Sequence, residues 1–332
     1  MKDINLLTVL ASLLMAWLYL VGQTISVPPG TEVRQGGILA RNKGTVRSLG
    51  LTAQDMLDLI YAEDEIPGFD CVPHPLTGHH TVIDLDIWGD RPGKGQEGIY
   101  SRILRMWNLH TRNPRLDIEC WIYSSPEGPK SWFQALLDPR ASSASTMFRR
   151  GSYSGLPLGD ACLRLPHANA LFFRLGSIGV RAQVFGPPES DGLFVEALAW
   201  GIEYRIRLHP KRLLGMAQKP VTLLVANKPF GQGKVISLAG VTVAPLSTLE
   251  PAQVALETKR TKMEWTVTAR RNGQWVKVKA FSWEMETDKG KVKLERPVFP
   301  YKGELVVPLR QVAEALGISV QQKGQTIALL PK

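Results

Sequence analysis

The C-terminal third of the chain carries one phrase twice. Gly303–Leu330 reads GELVVPLRQVAEALGISVQQKGQTIALL, and a fainter version opens at Gly240, GVTVAPLSTLEPAQVALETKRTKMEWTVTARR. In the second copy ELVVPL is a short strand that Pro308 ends. Leu309, Val312, Ala313 and Leu316 then fall at i, i+3, i+4 and i+7, a single apolar stripe over two helical turns. Gly317 is the expected stop, because glycine accepts the left-handed conformation that closes a helix. Ile318 and Val320 begin a strand, QKGQ turns it and TIALL returns. Each copy is therefore expected to be a β-α-β-β unit. In the first copy Pro251 falls within the helical position, so that helix is short or opens at the proline. One such unit leaves an apolar face exposed, and two can bury theirs together.

Between the copies, WTVTARRNGQWVKVKAF reads as a hairpin with RNGQ at its tip, and KGKVKLERPVFPYKG leads into the second copy. The pattern carried by Lys291–Leu294, Pro297, Tyr301, Gly303 and Val306–Gly317, with a weaker echo at Val241–Leu249, resembles the copper amine oxidase N-terminal-like, or stalk-type, domain of exported bacterial proteins. The resemblance covers about 221–332. It implies an envelope or extracellular accessory domain, a sheet wrapped on helices, with no catalysis of its own. It does not imply a copper enzyme here. Copper sites of that kind need imidazole ligands, and no His or Cys follows His209; nor is there an Asn-Tyr pair to supply a quinone-forming tyrosine.

Upstream, TAQDMLDLIYAED starts with a cap-like Thr52 and spaces Met56, Leu57, Leu59 and Ile60 helically. RLDIECWIY alternates like a strand, with Leu116, Ile118, Cys120 and Ile122 on one side. GPKSWFQALLDP predicts a short helix stopped by Pro139, and NALFFRLGSIGVRAQVFG two strands about a glycine turn. DGLFVEALAWGIEYRI predicts a helix with Leu193, Val195, Ala197, Leu198 and Ile202 on its apolar face. The segment from Gly68 to Gly98 has no assignment. The fold class expected is α+β, in two domains, each an antiparallel sheet with packed helices, after an N-terminal hydrophobic segment. The expected boundaries are 1–25 for a signal peptide or membrane anchor, 26–47 for a Pro/Gly-punctuated linker, 48–210 for the first domain and 211–332 for the second.

Localisation follows from the N-terminus. Ile4–Gly22 is nearly unbroken apolar sequence after Lys2, long enough for a signal sequence or a membrane span. The expected location is extracytoplasmic, secreted or N-terminally anchored. No cysteine follows the run, which excludes a lipoprotein signal. Charge is partitioned as well: residues up to Pro210 are near neutral, and essentially all of the net +10 lies beyond it. A basic second half points to an anionic neighbour, cell-wall polymer or membrane surface, while export argues against nucleic acid.

The chemistry-bearing candidates divide as follows. In WVKVKAF and KVKL, period-2 alternation puts Trp275, Lys277, Lys279, Lys291 and Lys293 on one sheet face. That face is either a soluble, self-repelling surface that protects sheet edges or an envelope-docking stripe. CVPHPLTGHH gathers Cys71, His74, His79 and His80, but at no standard zinc spacing. The three histidines are weak metal candidates, and no metal or other cofactor is expected. Cys71, Cys120 and Cys162 are odd in number; Cys120–Cys162 is the candidate disulfide, against a core role for Cys120. GKGQEG fits a dinucleotide fingerprint literally but lacks the preceding strand. GSYSG has Tyr153 where a hydrolase elbow needs its nucleophile. Glu196 and Glu203 share a helix without the second carboxylate pair that glycosidase chemistry needs. The expected function is therefore an exported non-catalytic accessory or binding protein whose C-terminal stalk-like domain associates with the cell envelope or spaces the rest of the chain from it. The alternative is an extracytoplasmic hydrolase or small-molecule enzyme with its site in 48–210. Three convergent polar side chains in a deep pocket would mark the enzyme, and a shallow open face the binding protein.

Overall fold

The computed structural model describes residues 25–44, 48–91, 96–109, 115–137, 152–165, 169–185, 192–209, 221–225, 228–230 and 233–331. The apolar segment Ile4–Gly22 and part of the GKGQEG stretch lie outside them. Among the described residues no helix is long and apolar enough to cross a membrane. The molecule is mostly β-structure, with few helices and several largely antiparallel sheets.

The first half is one ten-stranded sheet. Its strands are β1 (Glu32–Gln35), β2 (Ile38–Asn42), β3 (Phe69–Cys71), β4 (Thr81–Arg91), β5 (Gln96–Leu109), β6 (Arg115–Tyr123), β7 (Ser152–Tyr153), β8 (Ala161–Leu165), β9 (Ala170–Leu175) and β10 (Ile178–Phe185), with helices α1 (Ala53–Leu57), α2 (Glu127–Leu137) and α3 (Gly192–Leu208). The order is β1-β2-β4-β5-β6-β10-β9-β8-β7, and β3 pairs outside this path with β5. All pairings are antiparallel except β2 with β4. Within 26–47 lie β1 and β2, an edge hairpin whose Leu39 and Ala40 are buried. The unassigned Gly68–Gly98 stretch supplies β3, β4 and the start of β5. Helix α1 starts as expected, with Thr52 and Asp55 closing a reciprocal capping box.

The second half holds three small sheets rather than the single sheet expected. Its elements are β11 (Thr222–Val225), β12 (Lys228–Phe230), β13 (Ile236–Leu238), β14 (Val241–Pro245), a 3-10 helix (Leu246–Ala252), β15 (Ala255–Arg260), β16 (Trp265–Arg271), β17 (Gln274–Lys279), β18 (Glu284–Thr287), β19 (Gly290–Lys293), β20 (Phe299–Tyr301), β21 (Glu304–Pro308), α4 (Leu309–Ala315), β22 (Ile318–Lys323) and β23 (Thr326–Pro331). The doubled phrase accounts for the centre. Strands β14 and β21, the leading strands of the two copies, pair with each other, Ala244 opposite Val307. The hairpins preceding them, β13–β14 and β20–β21, turn on Ala239-Gly240 and Lys302-Gly303, both residues of each turn at positive φ. Pro251 explains the weaker copy: with no N–H to donate, it sits in a 3-10 turn where the second copy has an α-helix. The last strand, β23, runs parallel to β11 and ties the end of this half to its beginning.

Helix α3 joins the halves. Residues Val195–Ile206 are buried on all sides, not along one stripe, as befits a core helix. One face lies on β9 and β10, and the other on β20. Tyr61 Oη donates to the Leu198 carbonyl, Trp283 Nε1 to Leu193 O at 2.9 Å, and Tyr204 Oη to Lys234 O at 2.6 Å. Phe194 stacks on Phe69 of the first half and meets Phe281 of the second edge-on. At the centre Arg205 donates to Glu65 Oε2 at 2.7 Å and to the Pro300 carbonyl at 3.0 Å, with its guanidinium over the Tyr61 and Tyr301 rings. Glu65 also accepts from Lys302 N at 2.8 Å. The main hydrophobic cluster correspondingly runs through both halves, and a small second one gathers Phe133, Leu163, Ala170 and Phe172.

Two substitutions test this junction. Arg205→Ala leaves the buried Glu65 carboxylate without its cation and is expected to cost about 3–5 kcal/mol, read as a lower urea midpoint with unfolding still in a single transition. Gly201→Ala places a methyl group over Tyr61 Oη, and overpacking of that kind costs about 1–3 kcal/mol. An unchanged midpoint in Gly201→Ala would show that α3 does not seat against Tyr61.

Candidate ligand-binding face

The ten-stranded sheet has two unlike faces. One faces the core, with Ile103, Ile118, Cys120, Val180 and Phe173 buried in it, and meets α3 through β9 and β10. On the other, cross-strand neighbours alternate in charge. Arg41 on β2 opposes Asp84 on β4, Asp84 opposes Arg102 on β5, and Glu119 on β6 opposes Arg181 on β10. The contacts are Arg41 Nη2 to Asp84 Oδ1 at 2.7 Å, Arg102 Nη2 to Asp84 Oδ2 at 2.6 Å and Arg181 Nη2 to Glu119 Oε2 at 2.7 Å, with Arg102 Nη1 3.6 Å from Glu119 Oε1. Arg115 and Asp117 extend the row at 2.9 Å. A bulge in β4 between Asp84 and Ile87, with Asp86 at positive φ, breaks the pairing beside the ladder.

Exposure separates the two signs. The Asp84 and Glu119 side chains are 2% and 7% exposed, whereas those of Arg41 and Arg102 are 29% and 35% exposed. The carboxylates lie beneath and hold the guanidinium groups; those of Arg41, Arg102 and Arg115 form the accessible edge, while Arg181, 16% exposed, lies deeper. Burial pushes the Glu119 carboxyl above its ordinary range, although Arg181 and Arg102 pull it back. Burial also raises Asp117, against Arg115 and Arg181. Gln183 is buried beside Asp117 and leaves its Oε1 without a partner among the described residues. Next along β6, Trp121 packs against Trp132 of α2, and Trp132 stacks on Phe172. The cleft between these aromatics is only ≈ 10 Å³. Two clefts of ≈ 260 Å³ lie elsewhere, one lined by Thr242, Glu295, Arg310, Gln311 and Gln322, the other by Asp64, Phe69, Arg260 and Lys262.

The residues expected from sequence fall as follows. Trp275, Lys277, Lys279, Lys291 and Lys293 do share the outer face of the five-stranded sheet β15–β19. Carboxylates are interleaved with them: Lys277 lies 3.8 Å from Glu286, Lys279 3.7 Å from Glu264, and Lys291 3.9 Å from Glu284. The histidines separate. His79 Nδ1 is 2.6 Å from the Thr77 carbonyl and His74 Nδ1 accepts from Leu76 N, so both serve their own loop, while His80 turns towards Glu63. The Cys120–Cys162 bridge is corrected. Both thiols are free and sit in one row of the sheet, but on β6 and β8 with β10 and β9 between. Three strand spacings amount to roughly 14 Å, twice what a disulfide spans. The core role for Cys120 is the one observed, and burial raises its thiol pKa far above the ordinary value. Glu196 pairs with Arg164, and Glu203 with Arg207 and Gly159 N.

Comparison with known proteins adds one finding. The copper amine oxidase N-terminal domain, a non-catalytic domain in the proteins that carry it, matches residues 236–330. Neither a curated protein nor a solved structure matches the chain. The matched segment is the doubled unit and the five-stranded sheet, and leaves the charged face outside it.

The ladder predicts a pH signature. A carboxyl whose folded pKa is raised binds its proton more tightly in the folded state, so its ionisation costs stability as pH rises through that range. Stability relative to Glu119→Gln should therefore move in favour of the native chain as pH falls from about 7 to about 4, measured by urea unfolding. A difference that stays flat would mean that Glu119 is not desolvated.

Proposed function

We propose that this chain is an exported, non-catalytic binding protein. In this reading the sheet face around Arg41, Arg102, Arg115 and Arg181 takes an anionic envelope polymer, and the C-terminal half braces that face through α3. The observation that carries it is the sorting of the ladder by depth: buried carboxylates fix each guanidinium, so little side-chain entropy remains to be lost when an anion arrives. Arginine suits this role because its planar fork meets phosphate or carboxylate bidentately. The domain match supports an accessory role, and the apolar N-terminal segment supports export. The lysine face of β15–β19 contributes a more diffuse attraction, since Lys279 and Lys291 are more exposed and are held only at 3.7–3.9 Å by partly exposed glutamates.

The test is co-sedimentation of the full chain with purified bacterial cell walls across a salt series. The full chain is required because α3 belongs to both halves. The native protein should pellet at low salt and be released by about 0.5 M salt, where screening shortens the Debye length to a few ångströms. Arg102→Gln/Glu119→Gln/Arg181→Gln, which leaves no orphan charge at Glu119, should lose most of the binding. Lys279→Gln/Lys291→Gln/Lys293→Gln should lose less. Absence of pelleting at every salt, or pelleting indifferent to the ladder variant, would overturn the reading.

A further inference from the structure

Away from the ladder, three side chains with metal-binding atoms converge that the sequence keeps apart. Glu63, Cys71 and His80 place a carboxylate oxygen, Sγ and a ring nitrogen all within 4.8 Å of one another. His80 Nδ1 is 3.7 Å from Glu63 Oε2. We propose that these residues bind a zinc-type divalent ion, with three protein ligands and a fourth position open to solvent.

The backbone of each ligand is fixed in advance. Glu63 follows α1, and its carbonyl accepts from the buried Trp107 Nε1 at 3.2 Å. Cys71 ends β3 directly opposite Trp107, and the next residue, Val72, donates to Met106 O. His80 donates from its backbone to Gly37 O at 2.8 Å and leads into β4. Its ring lies so near Gly37 that a Cβ there would sit 3.3 Å from Nδ1. Strand β5 and the Gly37 turn thus hold three separate segments around one point, which is the preorganisation a metal site needs. The donor set suits the ion. Thiolate, imidazole and carboxylate are the three zinc ligand types, and three of them plus water is the open form of the site. Thiolate and carboxylate together neutralise a divalent charge.

Two features set the chemistry of loading. A zinc ligand is a thiolate, and an ordinary cysteine thiol still carries its proton at neutral pH; Arg105 lies close by. Arg105 is itself tied to Thr81 Oγ1 and the Tyr61 carbonyl, so it stays beside the thiol. The ion must therefore displace the Cys71 proton to bind: one S–H bond is replaced by one S–metal bond and one proton is released to solvent. The Glu63 and His80 side chains are 41% and 36% exposed, so the ion can reach the site without any rearrangement of the core.

The test uses the full chain stripped with chelator, with Zn²⁺ in calorimetry and Co²⁺ as the spectroscopic probe. One ion per chain should bind, more tightly as pH rises, and Co²⁺ should show a thiolate charge-transfer band. Cys71→Ser should abolish the band. His80→Asn and Glu63→Gln, both partly exposed and checked for native circular dichroism, should each weaken Zn²⁺ binding at least about tenfold. Absence of binding, or a Co²⁺ spectrum without thiolate, would overturn the proposal. So would binding that survives His80→Asn but is lost in His74→Asn/His79→Asn, which would place the ion in the neighbouring loop.

Discussion

The molecule is organised around a helix with no solvated side. An α-helix normally hides one stripe and solvates the other; α3 hides both because a second body of structure covers what the first sheet leaves open. The contact that fixes the two bodies is polar. Arg205 and Glu65 are removed from water together, and their neighbours offset much of the cost: two tyrosine rings, the Pro300 carbonyl and the Ala62 and Lys302 amides, while Arg205 Nε has no partner among the described residues. Such a pair adds little net stability over a well-packed apolar contact, but is costly when half-made. Its effect is to specify a single way for the halves to meet.

The repeated unit solves a similar problem within the second half. Its two leading strands pair with each other, and the helices that follow stand at equivalent places, one wound as 3-10 because of Pro251. The pairing gives each copy the cover it lacks. The five-stranded sheet, which takes β15 and β16 from the first copy, keeps Val267, Ala269, Val276, Val278 and Met285 towards the core and its charged residues outward, except Arg271, whose buried guanidinium donates to the Ala252 and Leu316 carbonyls.

Much of this was legible in the sequence where the signal is local. Thr52 and Asp55 form a cap from adjacent positions. The β9–β10 hairpin has its glycine turn, and α4 its four-residue apolar stripe. What was not legible depends on pairing between distant strands. In LDIECWIY the alternation identifies the core face correctly, but it does not say what Asp117 and Glu119 meet on the other side. Only the order β2-β4-β5-β6-β10 brings Arg41, Asp84, Arg102 and Arg181 alongside them. Glu63, Cys71 and His80 follow no spacing rule because β5, not their own segment, aligns them. The Cys120–Cys162 expectation failed for the complementary reason: alternation gives the face of a residue, not how many strands separate it from another. Likewise, the apolar face read for α3 holds for Val195, Ala197, Leu198 and Ile202 but not for Leu193, which is exposed, and it was incomplete, since the residues that cover the other side are supplied by the chain's last third.

That dependence has a temporal side. The strands that cover the first face of α3 precede it in the chain, so half of its surface can be buried as soon as it is made. Phe299 and Tyr301, which close on Tyr204, come only after the whole five-stranded sheet, and β23, which must run beside β11, comes last of all. Contacts so distant in sequence form slowly. At synthesis rates of about 5–20 residues per second, the nascent chain carries an apolar helix with one side bare for several seconds. Until Phe299 and Tyr301 arrive, that side stays open to any other apolar surface the chain meets.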